Sequence, residues 1–262
     1  MNWQVLDKKN EHERDKHISF DEEKHIYTVN GTFENYISVT TIIHKFFEEF
    51  DALKVISKMK NSPKWITNKY YGKTDEEIMN EWEETRKSAA EAGTKMHLEI
   101  EKFLNEYKND ENTIESSIEW KYFLNFWNDH KNELEPFRTE WKIWTEEYKI
   151  AGSIDCVFYS KKTNNLCIYD WKRSKEIKMH NSYTNAKKPI DYLSDCNYIH
   201  YSLQLNLYKW ILEKYYNVKI DDLYLVILHP NNNNYLKIQC NDYSKEIELM
   251  LNERKKALSN YS

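Results

Sequence analysis

The chain has 262 residues, 40% of them hydrophobic and 31% charged, with a formal net charge of −5. It is long enough for one large domain or two small ones and for burial of roughly 70–75% of the unfolded surface, and 9 Trp, 20 Tyr and 10 Phe exclude a disordered chain. Four glycines with no GxGxxG or GxxxxGK[ST] run exclude the common phosphate-cradling folds, while the acidic balance argues against non-specific coating of nucleic acid and leaves a local basic groove open.

In chain order, the opening MNWQVLDKKNEHERDKH is charged where a signal peptide is apolar. No apolar run approaches the ~18 residues of a membrane span. The expectation is a soluble, intracellular protein that is not secreted and has no membrane partner. KHIYTV-NG-TFENYIS then sets Asn30-Gly31 between two β-prone runs, a type I′ hairpin signal. The second run leads into SVTTIIHKFFEEF, where Ser38 or Thr40 can cap a helix, and 41–60 reads as helix. After Pro63, residues 74–107 read as one or two long polar helices starting at Thr74 or Asp75. Residues 113–131 read as a further helix with Ile118, Tyr122, Phe123, Phe126 and Trp127 as its apolar positions.

After Pro136 the period changes to two. FRTEWKIWTEEYKIAGSIDCVFYS alternates, as does LCIYDWKRS, and KKTNN joins the last two runs as an antiparallel hairpin. Residues 173–199 read as irregular. YIHYSLQLNLYKWILEKYY is an amphipathic helix, LYLVILHP an apolar strand of a sheet interior, YLKIQC its neighbour, and 243–258 a closing helix. The expected fold is α/β: a mixed central sheet flanked by helices, with an N-terminal hairpin. One domain over 1–262 is expected, with the hairpin and helices in 1–135 and the sheet in 136–262. Cys156, Cys167, Cys196 and Cys240 show no close pairing, so reduced, mostly buried thiols are expected rather than disulfides or a zinc site.

Two stretches carry chemistry. Gly152-Ser153-Ile154-Asp155 and Asp170-Trp171-Lys172 each put a carboxylate into an apolar strand, which costs several kcal/mol unless it is paired or binds metal. Asp170 and Lys172, two apart, share a face. A plain five-residue loop over 161–165 pairs Cys156 with Asp170 and turns Asp155 away; a bulge, or a loop of four or six residues, brings Asp155 to the same side. Carboxylates beside an ammonium suit metal-assisted phosphodiester hydrolysis with a hard cation such as Mg²⁺ or Mn²⁺. Elsewhere, Gly93-Thr94-Lys95-Met96-His97 is followed by Glu101, on the same helical face as His97. Tyr201, Gln204 and Tyr208 share one helical face too.

Taken in order, G-T-x-x-H, G-x-I-D, D-W-K and Y-x-x-Q-x-x-x-Y, with I-S-V-T-T-I-I ahead of them, resemble the RecB-like branch of the PD-(D/E)XK nuclease superfamily, over roughly residues 25–230. The flavour is similar to the mitochondrial genome maintenance exonuclease and related phage and viral nucleases. The resemblance implies a restriction-endonuclease-like core with a helical arch. It makes His97, Asp155 and Asp170 metal ligands, with the backbone carbonyl of Trp171 as a further ligand and Lys172 as the catalytic lysine. Gln204 and Tyr208 would orient the site, Glu101 would hold His97 from behind, and Glu140 on the preceding strand would support it. Thr40 would sit near DNA. Some members carry an iron–sulfur cluster; the scattered cysteines here imply none.

Residues 161–188 hold Lys161, Lys162, Lys172, Arg173, Lys175, Lys178, Lys187 and Lys188 against Asp170 and Glu176. With His180, Tyr183 and Tyr192 in or just beyond this run, Arg173, Lys175 and Lys178 suit phosphate contacts and base stacking on a single strand, and Tyr201 is a further candidate contact. The expected activity is a metal-dependent DNA exonuclease acting on single-stranded DNA or flaps in replication, recombination or repair, with replication or recombination proteins as partners. The other readings are a catalytically silent nucleic-acid-binding protein on the same fold and a structure-specific endonuclease.

Overall fold

The computed structural model describes residues 4–106 and 117–259. Its centre is a mixed sheet of β3 (Ile37–Ser38), β4 (Leu134–Thr145), β5 (Ile150–Ser160), β6 (Asn165–Lys172), β7 (Ile220–Ile227) and β8 (Leu236–Gln239). β4–β5, β5–β6 and β7–β8 are antiparallel; β3–β5 and β6–β7 are parallel. Helices flank it: α2 (Val39–Lys45), α6 (Asn197–Tyr215) and α7 (Ser244–Ser259) belong to one apolar core; α4 (Asp75–Leu104) and α5 (Ile118–His130) belong to another. Strict alternation makes the two cores. Ile168, Leu225 and Ile227 join the first, whereas Tyr169, Trp171, Val226 and Leu228 join the second. The α/β fold with a mixed, helix-flanked sheet and an N-terminal antiparallel hairpin is therefore as expected.

The hairpin's partner differs. Asn30 and Gly31 both have positive φ, 50° and 79°, as a type I′ turn requires. Yet the run after the turn makes only one bridge back, Val29 to Thr32. β2 (Ile26–Val29) instead pairs with β1 (Ile18–Asp21), and β3 leaves to pair with Ile150 and Ala151 of β5. The single helix expected over 41–60 is two, α2 and α3 (Ala52–Lys60), because Phe46 and Phe47 turn into the core and Asp51 caps a fresh start by accepting from the Lys54 N–H. Residues 75–104 form one helix, with Thr74 and Glu77 as a reciprocal capping box. The segment expected at 113–131 is helical from Ile118; positions 113–116 lie outside the described residues. Residues 173–196 are irregular and carry the chain to α6, which has ten of its 19 residues buried and two exposed, so it is enclosed rather than amphipathic as expected. All four cysteines are free, three of them buried. Among the described residues no helix is long and apolar enough to cross a membrane.

Candidate active site

The site forms where β5 and β6 part. Their ladder runs from Ser160–Asn165 to Cys156–Tyr169, so the turn is the four residues 161–164 and the next rung sets Asp155 opposite Asp170. This is one of the arrangements that puts both carboxylates on one side. The ladder stops there: the Trp171 N–H bonds the side chain of Asp155 at Oδ2, 2.9 Å away. On the other edge of β5, Thr139 pairs with Cys156 and Trp141 with Ile154, which brings Glu140 opposite Asp155. Glu140 has φ +44°, a left-handed conformation costing about 1–3 kcal/mol for a non-glycine residue. Ser153 Oγ donates to its Oε2 at 2.9 Å. One rung of three strands thus lines up three carboxylates.

His97 reaches this rung from α4. Its Nδ1 lies 3.6 Å from Asp155 Oδ2 and 3.9 Å from Glu140 Oε1, and its Nε2 donates to the Trp171 carbonyl at 2.9 Å. That carbonyl, expected as a ligand, is thus engaged in orienting the imidazole. Its position is firm because the Trp171 ring is buried against Phe123 and Phe126. One ligand atom each of His97, Glu140 and Asp155 lies within 4.8 Å of the others. Asp170 stands outside this group, with Oδ2 2.7 Å from Lys172 Nζ. It is 2% exposed, and beyond that ion pair neither oxygen has a hydrogen-bond partner. A buried carboxylate left so poorly solvated fits a cation beside it. The donor set of imidazole and carboxylates suits a hard or borderline divalent ion.

The electrostatics follow from burial and mutual charge. Burial disfavours charge on His97, but Asp155 and Glu140 outweigh it and raise the ring to about 9. Burial raises Asp155, against His97 and Lys172, and raises Asp170 against Lys172. Burial also opposes charge on Lys172, but Asp170 and Asp155 prevail and keep the ammonium protonated.

Glu101 is not behind His97. Both ring nitrogens of His97 are directed elsewhere, and Glu101 accepts from Gln4 Nε2 at 3.4 Å. Burial, with Glu140 second, pushes it up to about 7. Glu140, expected as support, is instead a member of the possible ligand group. Its signal in the sequence is one acidic residue inside a strand that buries Arg138, Thr139 and Trp141 around it.

Gln204 and Tyr208 join the site through packing. Gln204 Nε2 donates to the Tyr208 hydroxyl at 3.1 Å. A Cβ at Gly152 would lie 2.7 Å from Tyr208 Cε1 and 3.0 Å from Val39 Cγ2. Three sequence motifs therefore meet at one point, and the glycine of G-S-I-D is the space the tyrosine occupies. Beside them lies a cavity of about 350 Å³. Lys172, Gln204, Tyr201 and the exposed Thr40 line it, together with His44 and His200. The Lys172 ammonium stands 4.9 Å from the Tyr201 ring centroid. His44 and His200, far apart in sequence, carry no local signal.

The basic segment divides. Lys175 and Lys178 are exposed. Arg173 is tied to α5, where its Nε bonds Glu119 at 2.7 Å. Lys58 of α3 stands 5.5 Å from the ring of Tyr183, which is 88% exposed.

No family model matches the chain, and no curated protein matches it. Among solved structures, that of SSO0001 is similar at a TM-score of 0.36 and 15% identity, over 87% of this chain and 78% of that chain. A likeness so slight carries no argument about function.

Proposed function

We propose that this protein is a metal-dependent DNA exonuclease of the RecB-like PD-(D/E)XK kind, acting on single-stranded DNA or flaps in replication, recombination or repair. The observation that carries the reading is the convergence of His97, Glu140 and Asp155 beside the buried Asp170–Lys172 pair. Buried carboxylates without full hydrogen bonding are costly in a protein that has no use for them, which disfavours a silent scaffold.

His97, Asp155 and Glu140 would hold the ion, with Asp170 next to it; Mg²⁺ or Mn²⁺ fits these donors. When bound, the ion supplies Lewis acidity to the phosphodiester and lowers the pKa of nearby water. Lys172, held protonated by two carboxylates, donates from Nζ to a phosphoryl oxygen and stabilises charge that builds there. The Trp171 carbonyl keeps the His97 ring in place through Nε2. Gln204 and Tyr208 set the wall against which the scissile group lies. Lys175 and Lys178 supply phosphate contacts for the incoming strand.

The test is digestion of 5′-labelled and 3′-labelled single-stranded DNA with Mg²⁺, Mn²⁺ or EDTA, using wild type and Asp170→Ala. Cutting that needs metal and disappears in the variant is expected. A circular single strand separates the endonuclease reading, since an exonuclease leaves it intact. Binding without cutting of any substrate would favour the silent nucleic-acid-binding protein.

A further inference from the structure

The cavity beside Lys172 has a chemistry that the hydrolytic reading does not use. At about 350 Å³ it lies at the small end of ligand pockets, which run from roughly 300 to 1,000 Å³. That is room for one nucleoside rather than a stretch of strand. Three of the eight residues that line it carry rings: His44, His200 and Tyr201. His200 packs on Phe47 with centroids 3.9 Å apart, His44 stands 6.0 Å from His200, and Tyr201 lies under the Lys172 ammonium. Ile43, buried, supplies an apolar floor.

The charge in this pocket argues against a second phosphate. Lys172 is the one permanently charged residue of its lining, and its ammonium is already shared with Asp170. Burial lowers His200 below the ordinary histidine value, more than Asp195 raises it, which disfavours charge on the ring. Its Nε2 faces Asp195 Oδ1 at 2.9 Å. Asn197 is also spent: its amide donates to the Glu176 carbonyl and its oxygen accepts from the Lys178 N–H. Polar capacity remains on four side chains, the hydroxyls of Thr40 and Tyr201 among them. Gln204 uses its nitrogen on Tyr208, and among the described residues no hydrogen bond reaches Gln204 Oε1 or the ring nitrogens of His44. An uncharged planar ligand with polar edges matches such walls.

We propose that this cavity is a single-nucleotide subsite that takes the terminal base of the DNA strand, stacked on the rings of His44, His200 and Tyr201 while Lys172 meets the adjoining phosphate. This deepens the nuclease reading and rests on it for the identity of the ligand.

The experiment uses single-stranded oligonucleotides with 2-aminopurine, or an abasic residue, at one end or the other, and the full chain. Binding in EDTA should quench 2-aminopurine at one end. His44→Ala and Tyr201→Ala should abolish the quench, and Tyr201→Phe, which keeps the ring, should retain it; thermal unfolding confirms that each variant is folded. An abasic residue at that end should slow metal-dependent cutting about 10-fold, as base–aromatic stacking implies, and should add little to the slowing by Tyr201→Ala. Equal cutting of intact and abasic ends with no quench at either end overturns the subsite and leaves the nuclease reading standing. Quench that depends on Tyr201 without any cutting supports a base-binding subsite and overturns the nuclease reading instead.

Discussion

β5 and α4 each carry one glycine of a sequence motif, and the two glycines have opposite surroundings. Gly152 on β5 has no room for a methyl group, because Tyr208 and Val39 fill the space. Gly93 on α4 has open space around it, with nothing within 4 Å of where a Cβ would stand. The same division runs through the charged groups. Asp155, Asp170 and Lys172 lie on strands buried by helices, where each charge is set by its neighbours. His97 projects from a helix whose 81–94 stretch is largely exposed, and reaches the site by its side chain alone. The sheet thus fixes geometry through packing, whereas the helix supplies one candidate ligand and a surface.

The largest break in this comparison comes at the buried pair. Lys172→Ala should lower cutting about 10²–10³-fold, the loss typical of one transition-state donor, while strand binding persists. A wild-type rate in that variant would remove the lysine from the mechanism. His97 offers the next effect, through pH. Its pKa in the fold is raised to about 9 from 6.5. The charged ring therefore stabilises the metal-free protein fully below pH 6.5, and that contribution is lost as pH rises through 9. The loss should be on the order of 3 kcal/mol in urea unfolding, from about 1.4 kcal/mol per pKa unit. His97→Gln should flatten this dependence; a pH-dependent loss that survives in the variant would place its origin elsewhere.

The glycines sharpen the contrast at smaller scale. Gly152→Ala forces the buried Tyr208 ring or Val39 to move, and should destabilise by about 1–3 kcal/mol. Gly93→Ala, inside a helix with free space, should stabilise by up to about 1 kcal/mol. Denaturation midpoints of the two variants measure both, and they should shift in opposite directions. A fall in cutting by Gly93→Ala despite higher stability would mean that a strand lies against this face of α4.

The site was partly legible because its chemistry is local in sequence. D-W-K puts Asp170 and Lys172 on one face by strand period alone, and the G-S-I-D and D-W-K runs needed only a four-residue turn to bring Asp155 alongside. Arg173 shows the limit. It sits in a basic run that suits phosphate contact, yet Glu119, 54 residues earlier, anchors it through Nε. Glu101 shows another: helical spacing puts it on the His97 face, but a histidine has two nitrogens and the sheet takes both.

What the amino-acid order determined by itself were the periods and the punctuation: strands over 134–172 (broken at two turns), a long capped helix from Thr74, a type I′ turn at Asn30-Gly31, and carboxylates inside apolar runs. These follow from backbone sterics and side-chain alternation within a few residues. Tertiary structure decided which segments meet. It paired β2 with β1 rather than with the run after the turn, set Glu140 in a left-handed conformation opposite Asp155, and assembled His44, His200 and Tyr201 around one cavity. Such choices rest on burial and hydrogen bonding between residues distant in sequence, and no local pattern records them because the energies that select them exist only once the chain has packed.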